Sequence, residues 1–161
     1  MHIVKASGKE KAACLNEKAA CLAVFSLYML ALLYITVFRP GIYYSERQLN
    51  LALFANLIDI CRNGAPGEFP RLFLGNIGWF APFGFLLPML LKRKSLVITT
   101  ALGFALSLFI ETVQFVFHKG VAELDDLILN TAGVAIGYLL YRLCKSARAN
   151  GMKKREGKLN E

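Results

Sequence analysis

Apolar residues in this chain fall in long blocks and do not alternate with polar ones. Ala19 to Phe38 (AACLAVFSLYMLALLYITVF) carries no charge, and Leu72 to Leu91 (LFLGNIGWFAPFGFLLPMLL) is also uncharged but is interrupted by Asn76, Pro82 and Pro88. Ser95 to Phe117 contains Glu111 and Gln114; the shorter block Leu127 to Cys144 has Asn130 near its start and Arg142 near its end. About 20 residues of helix cross the hydrocarbon core of a bilayer. No strand-period alternation is present, so helices are the spanning form. The pattern predicts an all-α membrane protein with about four transmembrane helices, and short loops make successive helices antiparallel neighbours.

One connection is longer. Between Arg39 and Arg71 lies Q48-LNLALFANLIDIC61, mostly apolar but broken by Asn50, Asn56 and Asp59. It is too short and too polar to span, so an interfacial or re-entrant helix against the bundle is expected in this loop.

Composition agrees with the blocks: 56% of the 161 residues are hydrophobic and 19% charged, against about 25% charged in a soluble domain. The net charge of +8 is not a nucleic-acid footprint, because its distribution follows the spans. Lys5, Lys9, Lys11 and Lys18 precede the first span, Lys92, Arg93 and Lys94 follow the second, and seven basic residues lie from Arg142 onward. The other two loops hold Arg39, Arg47, Arg62, Arg71 and Lys119. This is the positive-inside asymmetry, which places both termini in the cytoplasm of a multi-pass protein of the cell membrane. Residues 1–18 are then a cytoplasmic segment, 19–144 the transmembrane domain, and 145–161 a basic tail expected to be disordered and to meet anionic membrane lipids. The first apolar block is too long, and starts too far into the chain, for a cleaved signal peptide. Cys14, Cys21, Cys61 and Cys144 show no metal or disulfide spacing. Two of them belong to a local duplication, E10-K-A-A-C-L15 and E17-K-A-A-C-L22, which reads as a helical extension of the first span; lipidation of those cysteines is the lesser alternative.

Within this apolar frame, S107-L-F-I-E-T-V-Q-F-V-F-H118 stands out. With both termini inside, Glu111 lies ~9 Å and Asn76 ~6 Å below the outer ends of their spans at helical rise. Gln114 and Asn130 are nearer that surface, and Glu123, Asp125 and Asp126 occupy the loop beside it. Ser107, Glu111, Gln114 and His118 recur at helical spacing and form one stripe. Asn130, Gly133 and Gly137 form another, and Gly133-V-A-I-Gly137 is a small-xxx-small motif that permits close helix contact. A polar stripe facing a close-packing stripe encloses a pocket open to the outside, lined by Asn76, Glu111, Gln114, Asp125, Asp126 and Asn130. A carboxylate at this depth costs a few kcal/mol, so Glu111 is either kept neutral or ionised against Arg47, Arg71 or His118. The plainer alternative is that these groups only join helices by hydrogen bonds, with Asp125 and Asp126 capping the fourth span.

The sequence N76-I-G-W-F-A-P-F-G-F-L-L87, the spacing S107-x-x-x-E-x-x-Q114 and the run L124-D-D-L-I-L-N-T-A-G-V-A-I-G137 resemble the VanZ-like family of small bacterial membrane proteins, over roughly Asn50 to Tyr141. The resemblance places Asn76, Pro82, Gly84, Glu111, Gln114, Asp125 or Asp126, Asn130, Gly133 and Gly137 on the family's recurrent positions. Glu123 stands where the family often has aspartate, Val121 and Ala122 where an arginine or aromatic is common, and N50-L-A-L-F54 lacks the proline of the corresponding element. The resemblance implies a bacterial envelope context, and the family takes its name from a member associated with low-level teicoplanin resistance.

Three function classes follow. A non-enzymatic membrane protein would use the pocket to bind a lipid-linked cell-wall precursor or other envelope component, or to alter how glycopeptides reach it; no cofactor is expected. A membrane-embedded enzyme would work on a lipid headgroup through Glu111, Asp125, Asp126 and His118, by acid–base chemistry or around a divalent cation. No HExxH, G-x-S-x-G or phosphatase-like series accompanies them, so no metal site is assigned and the first class is preferred. A transporter is disfavoured, because the inner halves of the spans are apolar and no inverted repeat is visible.

Overall fold

The computed structural model describes residues 2–38, 44–54, 58–59, 62–64, 68–92 and 94–159. Helix α1 runs from His2 to Leu33 and continues as a π-helical turn over Tyr34–Phe38. Strand β1 is Gln48–Asn50, α2 is Glu68–Leu90, α3 is Leu96–Val116, β2 is Val121–Glu123 and α4 is Leu124–Leu159. Four segments are long and apolar enough to cross a membrane: Leu15–Phe38, Phe73–Leu90, Leu96–Val116 and Leu124–Met152. Only 11 to 39% of an 18-residue apolar stretch in each is buried inside the protein, so the rest of the apolar surface is left for lipid. Exposed Leu27, Leu30, Phe109, Leu139 and Leu143 carry that outer face.

Helix α4 organises the bundle. Its extensive contact with α2 follows from glycine: a Cβ at Gly133 would meet the Ile77 carbonyl oxygen, one at Gly137 the Ala81 carbonyl oxygen, and one at Gly84 the Val134 carbonyl. The pairing of 77 with 133 and 81 with 137 makes α2 and α4 parallel, with α3 antiparallel to both. The expected small-xxx-small contact is therefore made, and its partner is backbone. Beside this seam Phe80 and Phe83 of α2, Leu32 and Val37 of the α1 segment, Ile110 of α3 and Val134 of α4 form the buried core. Tyr28 ties α1 to α2 by donating to the Trp79 carbonyl at 2.6 Å. Helix α2 runs unbroken through Pro82 and Pro88, whose missing N–H groups each remove one intrahelical bond.

Two features depart from the sequence pattern. The segment from Lys145, expected to be disordered, continues α4 as helix to Leu159. The beginning of the long loop, expected as an interfacial or re-entrant helix, is extended: β1 pairs in parallel with β2, Gln48 opposite Val121 and Asn50 opposite Glu123. The physical reason is local. The Asn50 side-chain oxygen accepts the Ala52 N–H at 3.0 Å, an Asx turn that competes with helix, and Phe54 adopts φ 56°. Part of the expected helix, including Asn56 and Cys61, lies outside the described residues.

Candidate functional site

At one end of the bundle, β1 and β2 lie over the C-terminal turns of α3 and the N-terminal turn of α4. Helix α4 starts at Leu124, which puts Asp125 and Asp126 in its first turn, where the exposed N–H groups favour negative charge. Asp125, 4% exposed, accepts the Phe54 N–H on Oδ1 at 2.7 Å. Its Oδ2 is buried and has no partner among the described residues. Asp126 Oδ1 accepts a short hydrogen bond from Asn76 Nδ2, which joins α4 to α2. Asn130, 5% exposed, donates from Nδ2 to the fully buried Ser107 Oγ at 2.9 Å and joins α4 to α3.

On α3, the predicted stripe does face inward. Ser107 and Glu111 are buried, and Gln114 and His118 are half-buried. Gln114 Nε2 donates to the Thr36 carbonyl at 2.9 Å, which ties α3 to the π-helical end of α1. His118, at φ 56°, closes the turn after α3: its carbonyl accepts the Tyr44 N–H at 2.9 Å and its Nδ1 lies 3.3 Å from the Tyr44 carbonyl.

Glu111 is 8% exposed. One carboxylate oxygen, Oε2, accepts the Glu123 N–H of β2 at 3.2 Å. It makes no ion pair among the described residues: the Arg47 guanidinium lies over the Phe115 ring at 5.8 Å, His118 is turned to Tyr44, and the Arg71 side chain lies outside the described set. Asp126 and Glu123 are like charges whose fields reach Glu111. No ligating arrangement of three His, Cys, Asp or Glu side chains occurs among the described residues.

Glu111 also lines a cavity of about 200 Å³. Its walls come from Leu49 of β1 and Leu51 just after it, Leu108, Thr112 and Phe115 of α3, Ala122 and Glu123 of β2, and Leu124 and Leu127 of α4. Of the six predicted pocket residues, Glu111 is the one among this described lining. Asn76, Gln114, Asp125, Asp126 and Asn130 are at the same end of the bundle, but each commits a polar atom to a bond between elements. The cavity is thus mainly apolar with a carboxylate wall, where the sequence predicted a polar pocket. Sequence reasoning does not single out Leu49 and Leu51 as lining residues. The period-2 recurrence of Leu49, Leu51 and Leu53 is the available signal, too short to distinguish from a helical turn.

The family model described as VanZ/LLP1 matches residues 25–145. Among curated proteins, the chain is similar to Protein VanZ of Enterococcus faecium, at 32% identity over 126 residues, which covers 74% of this chain and 72% of that protein. No solved structure matches the chain. The matched region holds most of the first membrane-crossing segment, the other three up to Lys145 and the carboxylate end of the bundle, and on these matches the chain belongs to the VanZ/LLP1 family.

Proposed function

We propose that the carboxylate end of the bundle faces the outside of the cell and that the cavity beside Glu111 holds part of a lipid-linked envelope component. By this action the protein contributes to low-level teicoplanin resistance. The observation that carries the reading is Glu111 itself: a buried side chain with two acceptor oxygens, one hydrogen bond among the described residues and an apolar cavity alongside. A carboxylate has about four acceptor sites, and leaving them unfilled in low dielectric is costly. A ligand with an apolar chain and a hydroxyl, amide or amine group would fill the cavity and complete the bonding. The basic residues at the opposite end of the bundle support the outward orientation of this one.

Asn76, Asp126, Asn130 and Gln114 act in this reading by holding α1, α2, α3 and α4 in register around the cavity. Asp125 holds the Phe54 turn, which follows the Leu49 and Leu51 wall. Chemistry on a lipid headgroup draws less support, since Asp125 and Asp126 each commit an oxygen to Phe54 or Asn76. The test is teicoplanin susceptibility of a sensitive bacterial host expressing the protein, with membrane abundance measured in parallel. Glu111→Gln and Leu127→Trp, both in the cavity wall, should abolish protection at unchanged abundance. Protection that falls only in step with abundance would reduce both residues to a folding role.

A further inference from the structure

At the opposite end of the molecule a second cavity, of about 600 Å³, lies between α2 and the C-terminal part of α4. Phe85 and Met89 of α2 and Tyr141 and Met152 of α4 supply its apolar wall, and Lys145 and Arg148 stand at its rim. The described lining contains two cations and no acid. Lys94 adds a third positive charge nearby, its Nζ 5.9 Å from the centre of the Tyr141 ring. The volume falls in the ~300–1,000 Å³ range of sites that hold small ligands.

Depth along α4 says what could fit. At helical rise, Gly137, whose neighbour across the seam is Phe85, is ~20 Å from Leu124. Lys145 and Arg148 are ~32 and ~36 Å from Leu124. The hydrocarbon core is ~30 Å thick and the whole bilayer ~40–45 Å. With Leu124 at one hydrocarbon boundary, Phe85 lies at acyl-chain depth and the two cations at headgroup depth beyond the other. The cavity therefore changes from apolar to cationic over the same distance as a phospholipid changes from chain to phosphate. Arginine presents a planar fork suited to phosphate oxygens and lysine a point charge beside it.

We propose that this cleft is a binding site for a single anionic phospholipid, its phosphate held by Arg148 and Lys145 and its acyl chain lying on Phe85 and Met89. It is independent of the carboxylate-end cavity. Two headgroup-level cations give a roughly 30-fold preference for an anionic over a zwitterionic lipid at about 1 kcal/mol each.

Native mass spectrometry of the full chain in micelles containing equal phosphatidylglycerol and phosphatidylcholine reads this directly. The wild type should retain one phosphatidylglycerol in preference to phosphatidylcholine. Lys145→Gln with Arg148→Gln should lose that preference, whereas Lys18→Gln with Lys92→Gln, which removes equal charge outside the cleft, should keep it. Ala149→Trp, which fills the cleft but keeps both cations, should lose the lipid as well and guards against a charge effect on folding. Equal loss in the control pair would mean diffuse attraction to the surface and overturn the site. So would equal retention of the two lipids, retention by Ala149→Trp, or displacement of phosphatidylglycerol by inorganic phosphate.

Discussion

Replacing Gly137 with alanine adds one methyl group at the point where α4 lies against the backbone of α2. The new carbon would stand against the Ala81 carbonyl oxygen and in tight contact with the Phe85 N. Both obstacles are main chain, so neither rotates away, and relief requires the two helices to part. Overpacking of this kind costs about 1–3 kcal/mol, and separation of the seam also forfeits dispersion contacts along α2 and α4. Gly78, on the exposed side of the same α2, has nothing within 4 Å of the position a Cβ would take. There alanine should be neutral or stabilising, by up to about 1 kcal/mol from helix propensity. Reversible unfolding in mixed micelles with increasing dodecyl sulfate would compare the two. The expected result is Gly137→Ala less stable by about 1–3 kcal/mol, roughly a five- to more than hundredfold shift in the folding equilibrium, and Gly78→Ala at or above the wild type. Equal stability of the two variants would refute the parallel glycine seam, and with it the placement of Asp126 against Asn76.

The buried pair between α3 and α4 gives a second contrast: Asn130→Leu strands the Ser107 hydroxyl and should cost about 1 kcal/mol, and adding Ser107→Ala should recover part of that loss; the same unfolding assay checks it. Gln114→Leu leaves the Thr36 carbonyl at the π-helical end of α1 without its side-chain donor, and should speed proteolysis or hydrogen exchange around Thr36 while leaving the α2–α4 seam unchanged.

Much of the fold was legible because the bilayer restricts the options. The uncharged block Ala19–Phe38 and the block from Ser95 to Phe117 match the observed spans Leu15–Phe38 and Leu96–Val116 within a few residues, since length and apolarity decide a spanning helix. The inward stripe of Ser107, Glu111 and Gln114, and the close contact at Gly133 and Gly137, follow from helical periodicity and are seen in the bundle. The parallel pairing of Gln48–Asn50 with Val121–Glu123 was not legible. Three-residue strands have no period to read, and their partners are 73 positions apart. Polarity alone does not decide the segment that begins at Lys145: K145-SARANGMKK154 contains good helix formers as well as Asn150 and Gly151, and continuity with α4 decides the outcome. The candidate site was legible by depth but not by orientation. Asn76, Asp126, Asn130 and Gln114 share an end with Glu111, yet which polar atoms bond to each other depends on how α2, α3 and α4 rotate about their axes.

Lipid mass spectrometry of protein purified gently from bacterial membranes shows whether the cavity beside Glu111 holds an amphiphile from the envelope. The wild type should carry a lipid-linked envelope component that is lost from Glu111→Gln, which removes the carboxylate, and from Leu127→Trp, which fills the cavity from α4. The same species retained equally by the wild type and both variants would contradict the account.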